Sequence, residues 1–230
     1  MDIKIIHSAR NAMDATGLTV VIDVFRAFSV EAYLINQNAQ RIIPVGEKEV
    51  AYDFKKKNKD IILVGERNGI RLPDFDYGNS PTLIQNIDFS GKTIVHTTSA
   101  GTQGLIRSIN ADEIITGSLV NAKAIVKYIK DNNYNDVSLL CTSWQNPNYE
   151  EEDTICAKYI KAMLESKDYD INSKVEELRH TSGAKFFNEE LKDVFPKKDF
   201  ELCTRLNIFN FVLRYNRIDK EYGYITKIDV

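Results

Sequence analysis

Short apolar runs alternate with amphipathic stretches along most of the chain. Leu18 to Val24 is almost wholly apolar and rich in β-branched residues, the pattern of a strand covered on both faces. Arg26 to Asn36 follows with Ala27, Val30 and Leu34 at helical spacing. Arg41–Val45, Ile61–Val64, Thr93–His96, Glu113–Thr116 and Val137–Cys141 read as further strands. Glu47–Lys57, a stretch ending near Ile109, the stripe of Ala122, Ile125, Val126 and Ile129, and Cys156, Tyr159, Ile160 and Met163 read as helices. Residues 173–206 read mostly as helices, and Phe209–Arg214 with Tyr222–Ile228 as a strand hairpin. Strand and helix in alternation predict an α/β fold of three layers, α/β/α, with a mostly parallel sheet between helices. The chain reads as one domain over 1–230, with two lobes dividing near 110–135 as the variant.

Composition narrows the function. The 230 residues are enough for a sizeable core, and a formal net charge of −3 disfavours a general nucleic-acid binder. No apolar run reaches the ~20 residues of a membrane span, and the N-terminus carries no signal-peptide pattern. Three widely spaced cysteines, Cys141, Cys156 and Cys203, fit a reducing cytoplasm rather than a disulfide framework. The three histidines have no ligand spacing, so a metal here would be held by carboxylate oxygens, which favours magnesium over zinc.

Ligands of open parallel sheets collect beyond the carboxyl ends of the strands. Here those ends carry Asp23 and Arg26, Gly65-Glu66-Arg67, Thr97-Thr98-Ser99 before Gly101 and Thr102, and Glu150 to Asp153 at a helix start. Carboxylates suit a metal, while arginine forks and helix N-termini suit phosphate oxygens. Each residue also has a plain structural explanation. Asp23 is placed to cap a helix, Asp153 to complement a helix dipole, Glu66 and Arg67 to form a surface pair, and Ser99 to cap. Cys156 suits the core, and His96 a buried structural role. Their joint placement at strand ends favours a site. Ser90-Gly91-Lys92-Thr93 is not a phosphate-binding loop, because its lysine precedes a strand and the first glycine is Asn86. Neither a nucleophile elbow nor a dinucleotide fingerprint is present.

Six blocks taken together are more specific: Val21–Ala27, Gly65–Gly69, Phe75–Pro81, Thr97–Thr102, Gly117–Ala122 and Glu152–Ala157. In their order they resemble the 2-phosphosulfolactate phosphatase family, and Asp199–Val212 resembles its C-terminal block more loosely. The resemblance implies a partly mixed sheet and a magnesium-dependent phosphomonoesterase acting on 2-phospho-3-sulfolactate, whose product enters coenzyme M synthesis. On this reading magnesium falls to Asp23, Glu66 and Asp153. Arg26 and Arg67 bind the anionic groups, with Asn79, Ser80, Thr97, Thr98 and Thr102 as neutral donors. Asp23, Asp76 and Glu152 are the catalytic candidates, Asp76 or Glu152 orienting the attacking water. Departures from the family pattern at Ala100, Phe28 and Cys141–Asn148 bear on pocket shape, and a non-catalytic anion binder on the same scaffold is the competing reading. The expected partner is a small phosphorylated carboxylic acid, with no nucleic acid or membrane; a homodimer is the assembly left open.

Overall fold

The computed structural model describes residues 1–143 and 151–230. In chain order the strands are β1 (Asp2–His7), β2 (Leu18–Ile22), β3 (Arg41–Pro44), β4 (Ile62–Arg67), β5 (Ile70–Arg71), β6 (Thr93–Thr97), β7 (Glu113–Gly117), β8 (Asp136–Cys141), β9 (Phe211–Arg217) and β10 (Gly223–Asp229). The α-helices are α1 (Ala27–Asn36), α2 (Lys48–Lys57), α3 (Pro81–Ile84), α4 (Gly101–Arg107), α5 (Ala122–Asp131), α6 (Glu152–Glu165), α7 (Ile171–Leu178) and α8 (Lys197–Cys203). Among the described residues the strands form one sheet of ten, ordered β1-β8-β2-β7-β9-β10-β3-β6-β4-β5. The fold is α/β, mostly parallel and partly antiparallel, with helices on both faces.

Two features were not foreseen in the sequence pattern. β1 is an edge strand, parallel to β8 over six residue pairs, and its alternating Asp2, Ile3, Lys4 and Ile5 lack the continuous apolar run of a central strand. The C-terminal hairpin does not flank the sheet but sits inside it, β9 pairing antiparallel with β7 and β10 antiparallel with β3. Three antiparallel joints therefore separate β1-β8-β2-β7 from β3-β6-β4, and the two parallel groups run in opposite senses. Flat, such a sheet would put their carboxyl ends on opposite edges. The ends meet all the same, because α4, which follows β6, lies against the end of β2: a Cβ on Gly101 would stand 2.7 Å from Asp23 Oδ2.

Helix packing completes the convergence. β2 is buried on both faces, with Leu18, Val20 and Ile22 in one core beside α5 and α6, and Val21 in a second core around α1. That second core also takes Ile42, Ile94 and Val64 from β3, β6 and β4, so both strand groups close on the same helix. α4 leaves β6 and lies across β2. A Cβ on its Gly104 would stand 2.8 Å from Val21 and 2.9 Å from Thr142, so glycine permits the approach.

All three cysteines are buried, free thiols, and burial pushes each well above the ordinary thiol range. Cys156 packs in the first core with Ile155, Ala157 and Ile160. Cys156→Ala is expected to retain turnover and to lose about 1 kcal/mol of stability, as small core truncations do. Parallel kinetics and urea melts check this; an inactive but folded variant would make the thiol catalytic.

Candidate active site

The segment after β4 turns on Asn68 and Gly69, both at positive φ (55° and 83°), and returns as β5, the pattern of a tight two-residue hairpin. The Asn-Gly pair between Arg67 and Ile70 was the available signal for it. Gly69 also has no room for a side chain: a Cβ would lie 2.3 Å from the Phe195 ring. Glu66 locks the hairpin tip to the loop after β6. Its Oε2 accepts from Gly69 N–H at 2.6 Å and Ser99 Oγ at 3.1 Å, and its Oε1 accepts from Ser99 N–H at 2.7 Å. Asn68 N–H donates to Ser99 Oγ at 2.9 Å.

Asp23 stands where β2 meets α1. Its Oδ1 accepts from the N–H of Ala27, the first residue of α1, at 2.9 Å, while Oδ2 faces the Thr142 hydroxyl at 3.3 Å. A Cβ at Gly101 would lie 2.7 Å from that Oδ2, so the start of α4 comes down onto the carboxylate. Asp153, in the first turn of α6, does not merely complement a helix dipole. It accepts from Val24 N–H at 2.8 Å and Ser143 N–H at 2.9 Å, stitching the loops after β2 and β8 together. Glu152 beside it is buried, and its Oε2 has no partner among the described residues.

Four carboxylates thus crowd at this junction. Burial pushes the Asp23 carboxyl up to about 6; the Ala27 N–H opposes the shift, and the charges of Glu152 and Glu66 reinforce it. Burial likewise holds Asp153 well above the carboxylate range, reinforced by Glu152 and Asp23. No group of three or more metal-ligating side chains is preassembled among the described residues. Asp153 and Glu66 have both oxygens engaged by N–H or hydroxyl donors. The atoms with most capacity left for a cation are Asp23 Oδ2 and Glu152 Oε2.

The remaining candidates divide. Arg26 is buried, and its guanidinium is engaged within the protein. Nη1 meets Asp199 Oδ2 at 2.7 Å and Val194 O at 2.9 Å, and Nη2 donates to Gly69 O at 3.3 Å. The same Asp199 accepts from Ser80 Oγ at 2.7 Å and Thr82 N–H at 3.0 Å, so Ser80 is a brace for α3. Asn79 Oδ1 faces His96 Nε2 at 3.3 Å, and His96 Nδ1 meets buried Glu31 at 3.0 Å; the histidine is a satisfied interior residue. Thr98 and Thr102 bond each other across the start of α4, with Thr102 Oγ1 accepting from Thr98 N–H at 2.9 Å and Thr98 Oγ1 from Thr102 N–H at 3.1 Å. Thr97 accepts from Arg67 Nη2 at 3.0 Å. Arg67 also donates to Glu66 O at 2.7 Å and Gly46 O at 3.0 Å, which replaces the expected Glu66–Arg67 side-chain pair.

Asp76 does not join the cluster. Its Oδ2 accepts from Leu63 N–H at 2.8 Å and Lys55 Nζ at 3.1 Å, tying β4 to α2, and it lines neither cavity described below. Phe28 is core, 1% exposed beside Leu34 and Val120, so it does not shape the pocket as expected. Ala100 lines both cavities. Trp144 to Asn148, and Glu150, lie outside the described residues.

Two cavities meet at Asn68, Ser99 and Ala100. The smaller, about 210 Å³, is lined by Asp23, Glu66, Arg26, Asn79, Lys185 and Phe195 among others. The larger, about 570 Å³, gathers Arg10, Arg67 and Arg107 with Gln103 and Ser143. Lys185, Arg10 and Arg107 were missed in the sequence, in segments without strand-end polarity, and only packing brings them here. Asp199 opens the C-terminal block that the sequence did single out, but its pairing with Arg26 was not foreseen.

Comparison with known proteins gives the family. The profile of the family described as 2-phosphosulpholactate phosphatase matches residues 4–217. A probable 2-phosphosulfolactate phosphatase of Thermoplasma volcanium is 33% identical over 210 residues, covering 91% of this chain and 94% of the relative. One from Thermotoga petrophila is 34% identical, covering 84% of this chain and 86% of the relative. One from Bacillus subtilis is 26% identical over 99% of both. With the carboxylate junction and its cation-lined cavities in the segment these relatives share, the chain belongs to the 2-phosphosulfolactate phosphatase family of phosphoric monoester hydrolases.

Proposed function

We propose that this protein is a magnesium-dependent phosphatase that hydrolyses the phosphomonoester of a small hydroxy acid, with 2-phospho-3-sulfolactate the substrate and sulfolactate and phosphate the products. One observation carries the reading: Asp23, Glu66, Glu152 and Asp153 converge at a small buried junction, and two of them, Asp23 and Glu66, line a cavity with Arg26 and Lys185. Burying several carboxylates together is costly unless a cation shares the site. The donor set is all oxygen, and Glu152 Oε2 is an orphaned buried acceptor. Magnesium commonly takes one or two protein carboxylates and completes its shell with water and phosphate oxygens. Asp23 and Glu152 fit that demand, while Asp153 and Glu66 hold the loops that carry them.

Bound there, the ion supplies neutralisation of phosphoryl charge. The protein's own groups do the rest. Asp23 lies at the wall of the smaller cavity, against the start of α4, where a phosphoryl group can approach its Oδ2. The arginines of the larger cavity suit the non-reacting acid groups of a multiply anionic substrate. The buried, unbridged cysteines suit a reducing cytoplasm, and no helix among the described residues is long and apolar enough to cross a membrane. Formation of sulfolactate would place the reaction in coenzyme M synthesis.

The test is phosphate release from a panel of phosphorylated carboxylic acids, with magnesium and with chelator. Turnover of the sulfolactate ester that stops in chelator and returns with magnesium is the expected result. Full activity in metal-free buffer would remove the metal from the site. Binding of the esters without any hydrolysis would make the protein an anion-binding scaffold.

A further inference from the structure

Arg26 was expected, with Arg67, to bind the anionic groups of the substrate, and the structure gives it other work. Its charge is matched by Asp199 at 2.7 Å, and both of its terminal nitrogens are bonded within the protein. A phosphate dianion entering the cavity that holds Asp23 and Glu66 would gain from a further positive group beside the proposed ion. One is present. Lys185 lies on the short 3-10 turn Ala184–Phe187 and lines that cavity.

The surroundings of Lys185 suit a binding group more than a structural one. Its Nζ lies 5.8, 5.5 and 5.4 Å from the ring centroids of Phe25, Phe186 and Phe195. Aromatic faces attract an ammonium without neutralising it and without accepting its N–H bonds as an oxygen would. Among the described residues no carboxylate stands within ion-pair distance of it. The charge is thus held in place by rings and left for a ligand. Phe25 and Phe195 line the same cavity, so the cradle that positions the ammonium is also part of the pocket wall. Phe186 is buried and packs on Phe25, Phe195 and Phe200, which anchors the turn.

We propose that Lys185 binds the phosphoryl oxygens of the substrate in the Asp23 cavity, beside Arg26, whose charge Asp199 already matches. This rests on the phosphatase reading above. It assigns the reacting phosphate to the cavity of about 210 Å³ and the non-reacting acids to the arginine-lined one.

The experiment compares wild type, Lys185→Met and Lys185→Arg in the full chain. It reads kcat and KM for the phosphorylated hydroxy acid, the inhibition constant of inorganic phosphate, and the melting temperature. Methionine keeps the stem against the rings and removes the charge. Lys185→Met is expected to weaken phosphate inhibition and raise KM about tenfold, with a melting temperature close to wild type, because one charge-assisted contact is lost. Lys185→Arg should recover part of both. If Lys185→Met melts early, the same comparison on Lys185→Gln decides the point. A folded charge-free variant with wild-type phosphate inhibition and KM overturns the assignment of Lys185 while leaving the phosphatase reading intact. A wild-type protein that neither hydrolyses the ester nor binds phosphate overturns both.

Discussion

Asp23→Asn should lower kcat/KM about 1,000-fold, the range expected when a carboxylate acting on the reacting group is neutralised, and should at the same time make the protein more stable in metal-free buffer at neutral pH. Both effects come from the same burial. The Asp23 carboxyl is raised to about 6 mainly because it is buried, with Glu152 and Glu66 adding repulsion. A raised folded-state pKa means that the group favours folding below the unfolded value near 4. That advantage is lost as pH climbs through 6, where the native site must ionise. Asparagine keeps an oxygen to accept from Ala27 N–H and never ionises. Relief of a shift of this size is worth about 3 kcal/mol above pH 7, roughly 6–12 °C in a chain of this length. Melting curves at pH 4, 6 and 8 in chelator check the sign: the gap between variant and wild type opens with rising pH. A variant with unchanged turnover would remove Asp23 from the chemistry.

The second large effect is on folding. Asp199→Ala leaves the Arg26 guanidinium buried without its counter-charge, and Ser80 Oγ and Thr82 N–H without their acceptor. Breaking one side of a buried pair costs about 3–5 kcal/mol, so the melting temperature should fall by roughly 10 °C. KM should also rise, since Arg26 and Asn79 line the Asp23 cavity and α3 is braced by the same carboxylate. Asp199→Asn keeps an acceptor for Ser80 and should lose less. Thermal melts and steady-state kinetics on both variants settle it. An Asp199→Ala protein that melts with wild type would show that the Arg26–Asp199 pair contributes nothing net.

Much of the architecture was legible because buried strands and amphipathic helices write their period into the chain. β2, β6 and β7 are short β-branched runs, and α5 carries Ala122, Ile125, Val126 and Ile129 as a clean stripe. The polar strand ends were equally visible. Asp23, Glu66, Glu152 and Asp153 were all singled out as acids where a core would not require them. Pairing order was not legible, because period tells which face a residue presents and nothing about which strand lies beside it. The insertion of β9 and β10 between β7 and β3, and with it the opposed sense of the two strand groups, is a tertiary decision.

The roles within the site were decided in the same way. The strand-end pattern picked out Asp23 and Arg26 as a carboxylate and a cation three residues apart, and nothing local distinguishes a free guanidinium from a bonded one. Only the docking of α8 sets Asp199 against Arg26 and turns an expected phosphate ligand into a buried brace. Thr98 and Thr102 bond each other across the start of α4 because they lie four residues apart, a spacing already written in the chain. Lys185 carried no local signal at all. Its position at the cavity wall follows from three phenylalanines, two of them far from each other in sequence, which meet only when the C-terminal segment packs over the carboxylate junction. Residue types and periodicity, being local, determined the elements and the acids at their ends. Which charges stay free for a ligand depends on long-range neighbours, and the packed fold alone supplies those.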